Sequence, residues 1–325
     1  MVMNLYISNF KYPRSFLLML GIILVLNILC MFIYSNEKNK YKSKLYEIEA
    51  NYKEVNYLHL GDSKVLNGVD TEWLTKSSGY MHYNMGLSGA NLATQYYFLK
   101  EILDGRSVKI DNVILYLSYI HLTDKYNPDN YVYSLRLYNN KELLEYYRET
   151  SPRYKTRIIV SKLFPLFNYK LDYKLINFNK KMKGNSYYGY SPRNGSFIKN
   201  IAIKDNRECD DLDVNKESFY YMDKIIDITN KKGIKVFITV PPIPETIYSI
   251  NYNKHGYSKL SNFINKYSNN GILCSPRYMP DYYYVDWGHL NGEYAKEYTK
   301  IIGALLKGTE IYSLSNNKNI GKQVL

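Results

Sequence analysis

VNYLHL, residues 55–60, runs directly into Gly61-Asp62-Ser63. An apolar and aromatic run of this length, closed by a glycine, reads as a strand that ends in a tight turn. The alternation continues beyond that turn. Tyr80 to Asn84 reads as a short second strand. Leu92, Tyr96, Leu99 and Leu103 then recur at i, i+4, i+7 and i+11, the stripe of a helix laid on a sheet. Asn112 to Ser118 (NVILYLS) is a buried strand. Phe219, Met222, Ile225 and Ile226 mark a helix stopped by Gly233, and Ile234 to Val240 (IKVFITV) a strand ended by Pro241 and Pro242. Leu260, Phe263, Ile264 and Tyr267 give a further helix. Tyr294, Ala295, Tyr298, Ile301, Ile302 and Leu305 give the last one, with Asn291 as its N-cap. Strand and helix in alternation predict a mostly parallel sheet with helices on its faces.

Upstream of this domain, Phe16 to Tyr34 (FLLMLGIILVLNILCMFIY) carries no charge. As a helix it rises about 28 Å, close to the thickness of a hydrocarbon layer. Lys11 and Arg14 precede it, as they would in a cleaved signal peptide, but no small-x-small cleavage site follows, which favours an uncleaved anchor. Lys38, Lys40, Lys42 and Lys44 stand on its far side, so charge does not by itself select an exported C-terminal domain. The organisation expected is a short arm over 1–15, an anchor over 16–34, a polar, partly helical stalk over 35–54, a domain over 55–307 and a polar tail over 308–325.

The formal net charge is +13, which points to an anionic partner. Most of the excess is local. From Arg148 to Arg207 there are 14 Lys and Arg against 3 Asp and Glu, within a Tyr-rich insert at about 122–215 that fits no βα unit. No nucleic-acid-reading motif accompanies it, which excludes that class of partner for an exported domain. Three cysteines are too few for a disulfide framework, and whether Cys209 and Cys274 pair is open. There is no metal-binding His-Glu-x-x-His, no paired Cys-x-x-Cys and no phosphate-cradling glycine loop, so no cofactor is expected.

In an open parallel sheet, ligands bind beyond the carboxyl ends of the strands. The residues placed there are Gly61-Asp62-Ser63, Asn84-Met85-Gly86, Ser118-Tyr119-Ile120-His121 and, before the last helix, Asp286-Trp287-Gly288-His289. A serine hydroxyl becomes a nucleophile when an imidazole takes its proton, and the imidazole needs a carboxylate to fix its tautomer. Ser63, His289 and Asp286 are those three residue types. A lone Gly-Asp-Ser is an ordinary turn, and it is the conjunction at sheet-compatible positions that makes a triad. His59 and His82 alternate within strands and read as buried structural residues, and His121 is a minor candidate for lining the site.

HLGDSKVLNGVDTEWL, YNMGLSGAN and YVDWGHLNGEYAKEY resemble the nucleophile, glycine and Asp-x-x-His blocks of the SGNH (GDSL-like) hydrolases. Within that superfamily the likeness is closest to membrane-anchored proteins of envelope-polymer acylation, of the teichoic-acid D-alanylation and alginate O-acetylation type. The resemblance implies Ser63 as nucleophile, His289 as general base and Asp286 as its orienting carboxylate. It implies an oxyanion glycine at Gly86, with Gly89 as the alternative. The family's Gly-x-Asn-Asp block is missing, so Asn84, Ser118 or Tyr119 would supply the third donor. Loss of one such donor typically costs about a hundredfold in rate.

The expectation is therefore a three-layer α/β/α domain of flavodoxin-like strand order behind one transmembrane helix. It would be a single-pass cell-membrane protein with the domain extracytoplasmic, acting as a serine esterase or O-acyltransferase on an anionic or neutral envelope glycan. The resemblance implies a membrane-bound O-acyltransferase as partner. The alternative is a non-catalytic SGNH scaffold that binds an anionic polymer or such a partner.

Overall fold

Glu54–Leu60 forms β1, which pairs in parallel on both sides and so lies inside a sheet. The computed structural model describes residues 13–36, 40–105, 107–118, 188–193, 214, 216–251 and 256–308. Helix α1 is Pro13–Asn36 and α2 is Lys40–Asn51. After β1 come α3 (Ser63–Gly68), α4 (Thr71–Ser78), β2 (His82–Asn84), α5 (Leu92–Gly105) and β3 (Lys109–Tyr116). They are followed by α6 (Lys216–Lys231), β4 (Lys235–Thr239), β5 (Ile243–Pro244), α7 (Glu245–Asn251) and α8 (Gly256–Lys266). The last elements are β6 (Gly271–Ile272), β7 (Tyr278–Met279), a 3-10 turn at Asp281–Tyr283 and α9 (Gly292–Gly308).

The main sheet has the order β2-β1-β3-β4-β6, and all of its pairings are parallel. Because β5 pairs only with β7, the sheet strands taken in chain order run 2-1-3-4-5, the flavodoxin-like arrangement. Strand residues alternate between faces. Ile114, Tyr116 and Phe237 turn to one face and pack with Val65, Val69 and Leu74 of the α3–α4 region and with Ala295, Tyr298 and Ile302 of α9. Val113, Leu115 and Ile238, fully buried, turn to the other. There α5 packs on α6 through Tyr96 and Tyr97, whose rings lie 5.8 and 6.0 Å from Tyr221. Phe263 of α8 adds an edge-on contact to Phe219 at 4.8 Å. Two helical layers thus enclose the sheet.

The described residues fall into two compact units, α1 in one and everything from Lys40 onward in the other. Helix α1 spans the expected anchor. Its side chains are described over 16–29, roughly 21 Å of rise, and among the described residues no helix is long and apolar enough to cross a membrane. Along that stretch the apolar side chains are exposed, Leu17 and Leu18 to 65% and 67%. The polar Asn27 satisfies its amide by donating to Ile23 O at 3.0 Å.

Within residues 35–54, expected as a polar, partly helical stalk, lies α2, which buries Lys44, Leu45 and Ile48. Apart from 188–193 and 214, the basic insert lies outside the described residues, as do Tyr119, His121, Cys209, His255 and the tail beyond Gly308. Cys274 is a free, exposed thiol.

Candidate active site

Strand β1 stops at Leu60, and Gly61 makes the turn. A Cβ at Gly61 would collide with the Val65 side chain and come within 3.2 Å of Tyr116 Cβ, so only glycine lets α3 start this close to the sheet. Asp62 caps the new helix, its carboxylate accepting from Lys64 N at 2.8 Å. Ser63 is therefore the first residue of α3, half-buried at the carboxyl end of the sheet.

The second part of the site is a closed loop. Tyr284 and Leu290 form an antiparallel bridge, Val285 N donates to His289 O at 2.9 Å, and Asn291 N donates to Tyr283 O at 2.8 Å. Buried Tyr284 and Leu290 anchor the loop in the core. Asn291 Oδ1 accepts from Glu293 N at 3.0 Å and starts α9, as the N-cap reading anticipates.

This loop brings Asp286 and His289 to Ser63. His289 Nδ1 lies 2.7 Å from Asp286 Oδ1, and His289 Nε2 lies 2.7 Å from Ser63 Oγ. With its Nδ1 proton donated to the carboxylate, the imidazole presents an Nε2 lone pair to the serine hydroxyl. Asp286 Oδ1 also accepts from Gly288 N at 3.0 Å and His289 N at 2.9 Å, and Oδ2 pairs with an Arg193 guanidinium nitrogen at 2.6 Å. Burial alone would raise the Asp286 pKa. The hydrogen bond and charge of His289, the Gly288 N–H and the Arg193 charge outweigh it and hold the carboxyl at about 2.

No protein-family model and no curated protein matches the chain. Among solved structures it is similar to a protein provisionally described as a platelet activating factor from Streptococcus pneumonia, at 12% identity and a TM-score of 0.43, over 87% of this chain and 97% of that one. It is similar to a provisionally described acylhydrolase from Bacteroides fragilis, at 13% and 0.38, over 86% and 98%. A GDSL-like lipase from Bacteroides thetaiotaomicron stands at 15% and 0.36, over 84% and 98%. What bears on the site is the chain's own strand order and its Ser63–His289–Asp286 contacts. The chain resembles the SGNH (GDSL-like) hydrolases.

In an SGNH-like site the remaining requirement is a set of oxyanion donors, and here the structure corrects two expectations. Asn84 is fully buried and spends both amide hydrogens, donating at 2.8 Å to Val65 O and at 2.8 Å to Val69 O. Its Oδ1 accepts the Gly86 N–H at 2.9 Å. Neither Asn84 nor Gly86 has a donor left for substrate. Asn84 instead ties α3 to the glycine loop, and Gly86 lets the loop approach: a Cβ there would collide with Leu66 N and sit 2.9 Å from Leu66 Cα. Gly89, the alternative, adopts φ of 73° and has no hydrogen-bond partner for its N–H among the described residues. Ser118 is buried at the end of β3, and its hydroxyl also lacks a partner among the described residues.

Two cations that local sequence patterns do not single out help build the site. Lys44 of α2 donates to Asn84 O at 2.7 Å and Gly86 O at 2.9 Å, from a position where burial, partly offset by Glu47, lowers its pKa to about 7. Arg193 is one of many basic residues in the insert, and nothing in its neighbourhood of sequence distinguishes it. For Lys44 the only signal is the adjacent apolar pair Leu45 and Ile48. His59 and His82 are buried and neutral, linked Nε2 to Nδ1 at 3.0 Å and running from Tyr116 OH to Ser78 Oγ, which agrees with a structural role. Among the described residues no group of His, Cys, Asp and Glu is arranged to hold a metal ion.

Proposed function

We propose that this chain is a serine esterase or O-acyltransferase of SGNH type, held at the cell membrane by α1 with its catalytic domain outside the cytoplasm, and acting on an envelope or exported polysaccharide. The observation that carries the reading is the continuous relay Ser63 Oγ, His289 Nε2, His289 Nδ1, Asp286 Oδ1, with both contacts at 2.7 Å. In the first half-reaction Ser63 Oγ attacks the acyl carbonyl as its proton passes to His289 Nε2. The leaving alcohol then takes that proton, and the acyl group remains as an ester on Ser63. In the second half-reaction His289 takes a proton from water or a sugar hydroxyl, whose oxygen attacks the acyl-serine, and Ser63 leaves with the proton restored. Asp286 steadies the imidazolium in both.

Ser63 N–H, Gly89 N–H and the Ser118 hydroxyl are the donors available for the oxyanion. The register supports Ser118: Leu60 pairs with Leu115, so Ser63 and Ser118 stand equally far beyond a matched pair of strand residues. The exposed apolar side chains over 16–29 support the membrane placement. The charge concentrated between Arg148 and Arg207 favours an anionic glycan over a neutral one as acceptor, and a membrane-bound O-acyltransferase is the corresponding acyl donor.

The test is labelling of the full chain in detergent with a serine-directed fluorophosphonate, with p-nitrophenyl acetate turnover read in parallel. Labelling is expected in wild type and absent in Ser63→Ala and His289→Ala. Folded wild type that neither labels nor turns over the ester refutes the enzyme and leaves the scaffold role.

A further inference from the structure

Residues 188–193 belong to the long segment between β3 and α6, yet they are tied into the site from several directions. Tyr188 O accepts from Asn84 N at 2.8 Å and from Thr71 Oγ1 at 2.9 Å. Ser191 N donates to Leu66 O at 3.0 Å, and Ser191 O accepts from Asn67 Nδ2 at 2.7 Å. Arg193 O accepts from Gly292 N at 2.9 Å. Gly189 has φ of 77°, and a Cβ there would run into the Asn84 carbonyl. Buried Tyr190 joins the core cluster around α3 and α9. The segment is a strap across the end of β2, the nucleophile helix, α4 and the start of α9. It ends by setting a guanidinium nitrogen of Arg193 2.6 Å from Asp286 Oδ2.

The carboxylate of Asp286 divides its work unequally. Oδ1 accepts three N–H groups, among them His289 Nδ1, whereas Oδ2 faces Arg193. A carboxylate is symmetric about its Cβ–Cγ bond, so without a partner on Oδ2 the group can rock about that bond and loosen its hold on the imidazole. The Arg193 side chain is 45% exposed, and an ion pair with that exposure adds little to stability. Its effect is geometric.

We infer that Arg193 is a positioning residue: its guanidinium pins Asp286 Oδ2 so that Oδ1 stays on His289 Nδ1, and the strap thereby makes the relay depend on the segment inserted between β3 and α6. The inference rests on the serine-hydrolase reading for its kinetic consequence and on the contacts alone for its structural one. Misplacement of a catalytic group by about an ångström can cost about a hundredfold in rate, and a loosened but present carboxylate is expected to cost about ten- to thirtyfold.

The experiment uses the full chain in detergent, with Arg193→Ala and Arg193→Lys beside wild type. It reads two quantities: fluorophosphonate labelling of Ser63 against reagent concentration, and the downfield NMR resonance of the His289 Nδ1 proton. In Arg193→Ala the maximal labelling rate is expected to fall about ten- to thirtyfold at unchanged reagent affinity and unchanged melting temperature. Lysine, or guanidinium ion added at millimolar concentration to Arg193→Ala, should restore part of it. The Nδ1 proton resonance should move or broaden. A wild-type labelling rate in Arg193→Ala overturns the inference. So does a loss that comes with a lowered melting temperature and no guanidinium rescue, since that marks Arg193 as structural only. If wild type itself does not label, the hydrolase reading fails, and the resonance decides alone: unchanged in Arg193→Ala it overturns the positioning role, moved it upholds it.

Discussion

Gly86→Ala gives a sharp test, because the glycine acts here through space and not through its N–H. The added Cβ would stand 2.9 Å from Leu66 Cα and 2.8 Å from Asn84 Oδ1, and closer still to Leu66 N. Ordinary van der Waals contact begins at 3.4 Å, so the backbone of α3 must retreat by about half an ångström at Leu66 Cα and about one ångström at Leu66 N. Neither Leu66 backbone atom can swing aside as a flexible side chain could. Ser63 begins the same short helix, and its Oγ must hold a 2.7 Å contact to His289 Nε2. A shift of half to one ångström at a catalytic group predicts a loss on the order of ten- to a hundredfold in rate. Overpacking adds a destabilisation of about 1–3 kcal/mol. The assay is the maximal rate of fluorophosphonate labelling of the full chain, paired with a thermal melt. Because alanine keeps the backbone N–H, a pure donor role for Gly86 predicts no such loss. A wild-type labelling rate and melting temperature in Gly86→Ala would therefore refute the packing argument.

Asn84→Ala strips the partners from Val69 O and Gly86 N in a buried site, and takes one of two from Val65 O, which keeps the Val69 N–H. At about 1–3 kcal/mol for each unpaired group it should cost several kcal/mol in denaturant unfolding, and an unchanged midpoint would contradict the assigned role. Asp286 has a folded pKa of about 2 against an ordinary 3.8, so its stabilising contribution is full above about pH 4 and is lost as pH falls toward 2. The stability difference between wild type and Asp286→Asn should collapse in that window in unfolding titrations, and a constant difference would count against it. Lys44 gives a slope of the same sign in a higher pH window. Its folded pKa of about 7 lies below 10.5, so between those values the unfolded chain binds more protons and folding becomes more favourable as pH rises. The stability of wild type relative to Lys44→Met should climb between pH 7 and 10, by up to about 1.4 kcal/mol per pH unit. A flat difference would mean that the ammonium is not buried on the Asn84 and Gly86 carbonyls.

Much of the fold was legible because its signals are local. The strands through Val55, Asn112 and Ile234 and the helices through Leu92, Phe219 and Tyr294 all appear within a few residues of their expected bounds. What escaped were elements too short to carry a period: β6, two residues long, and the β5–β7 pair. Helix α2 falls within the stretch read as partly helical, but the burial of Lys44, Leu45 and Ile48 depends on a partner surface that the sequence does not display.

The candidate site divides along the same line. Ser63, Asp286 and His289 could be singled out from residue type and position alone, since strand ends in a parallel sheet collect at one edge and a loop of four residues keeps Asp286 beside His289. The hydrogen-bond partners could not. Whether Asn84 offers its amide to substrate or spends it on Val65 and Val69, and whether Gly86 donates or merely makes room, depends on where α3 sits against the glycine loop. Lys44 reaches that loop from 40 residues away, and Arg193 reaches Asp286 from far upstream. Residue types specify which chemistry is available, because that chemistry is carried by single side chains. Tertiary structure decides which of those groups remain free to do it, because a buried donor or charge is claimed by whatever partner packing brings within 3 Å.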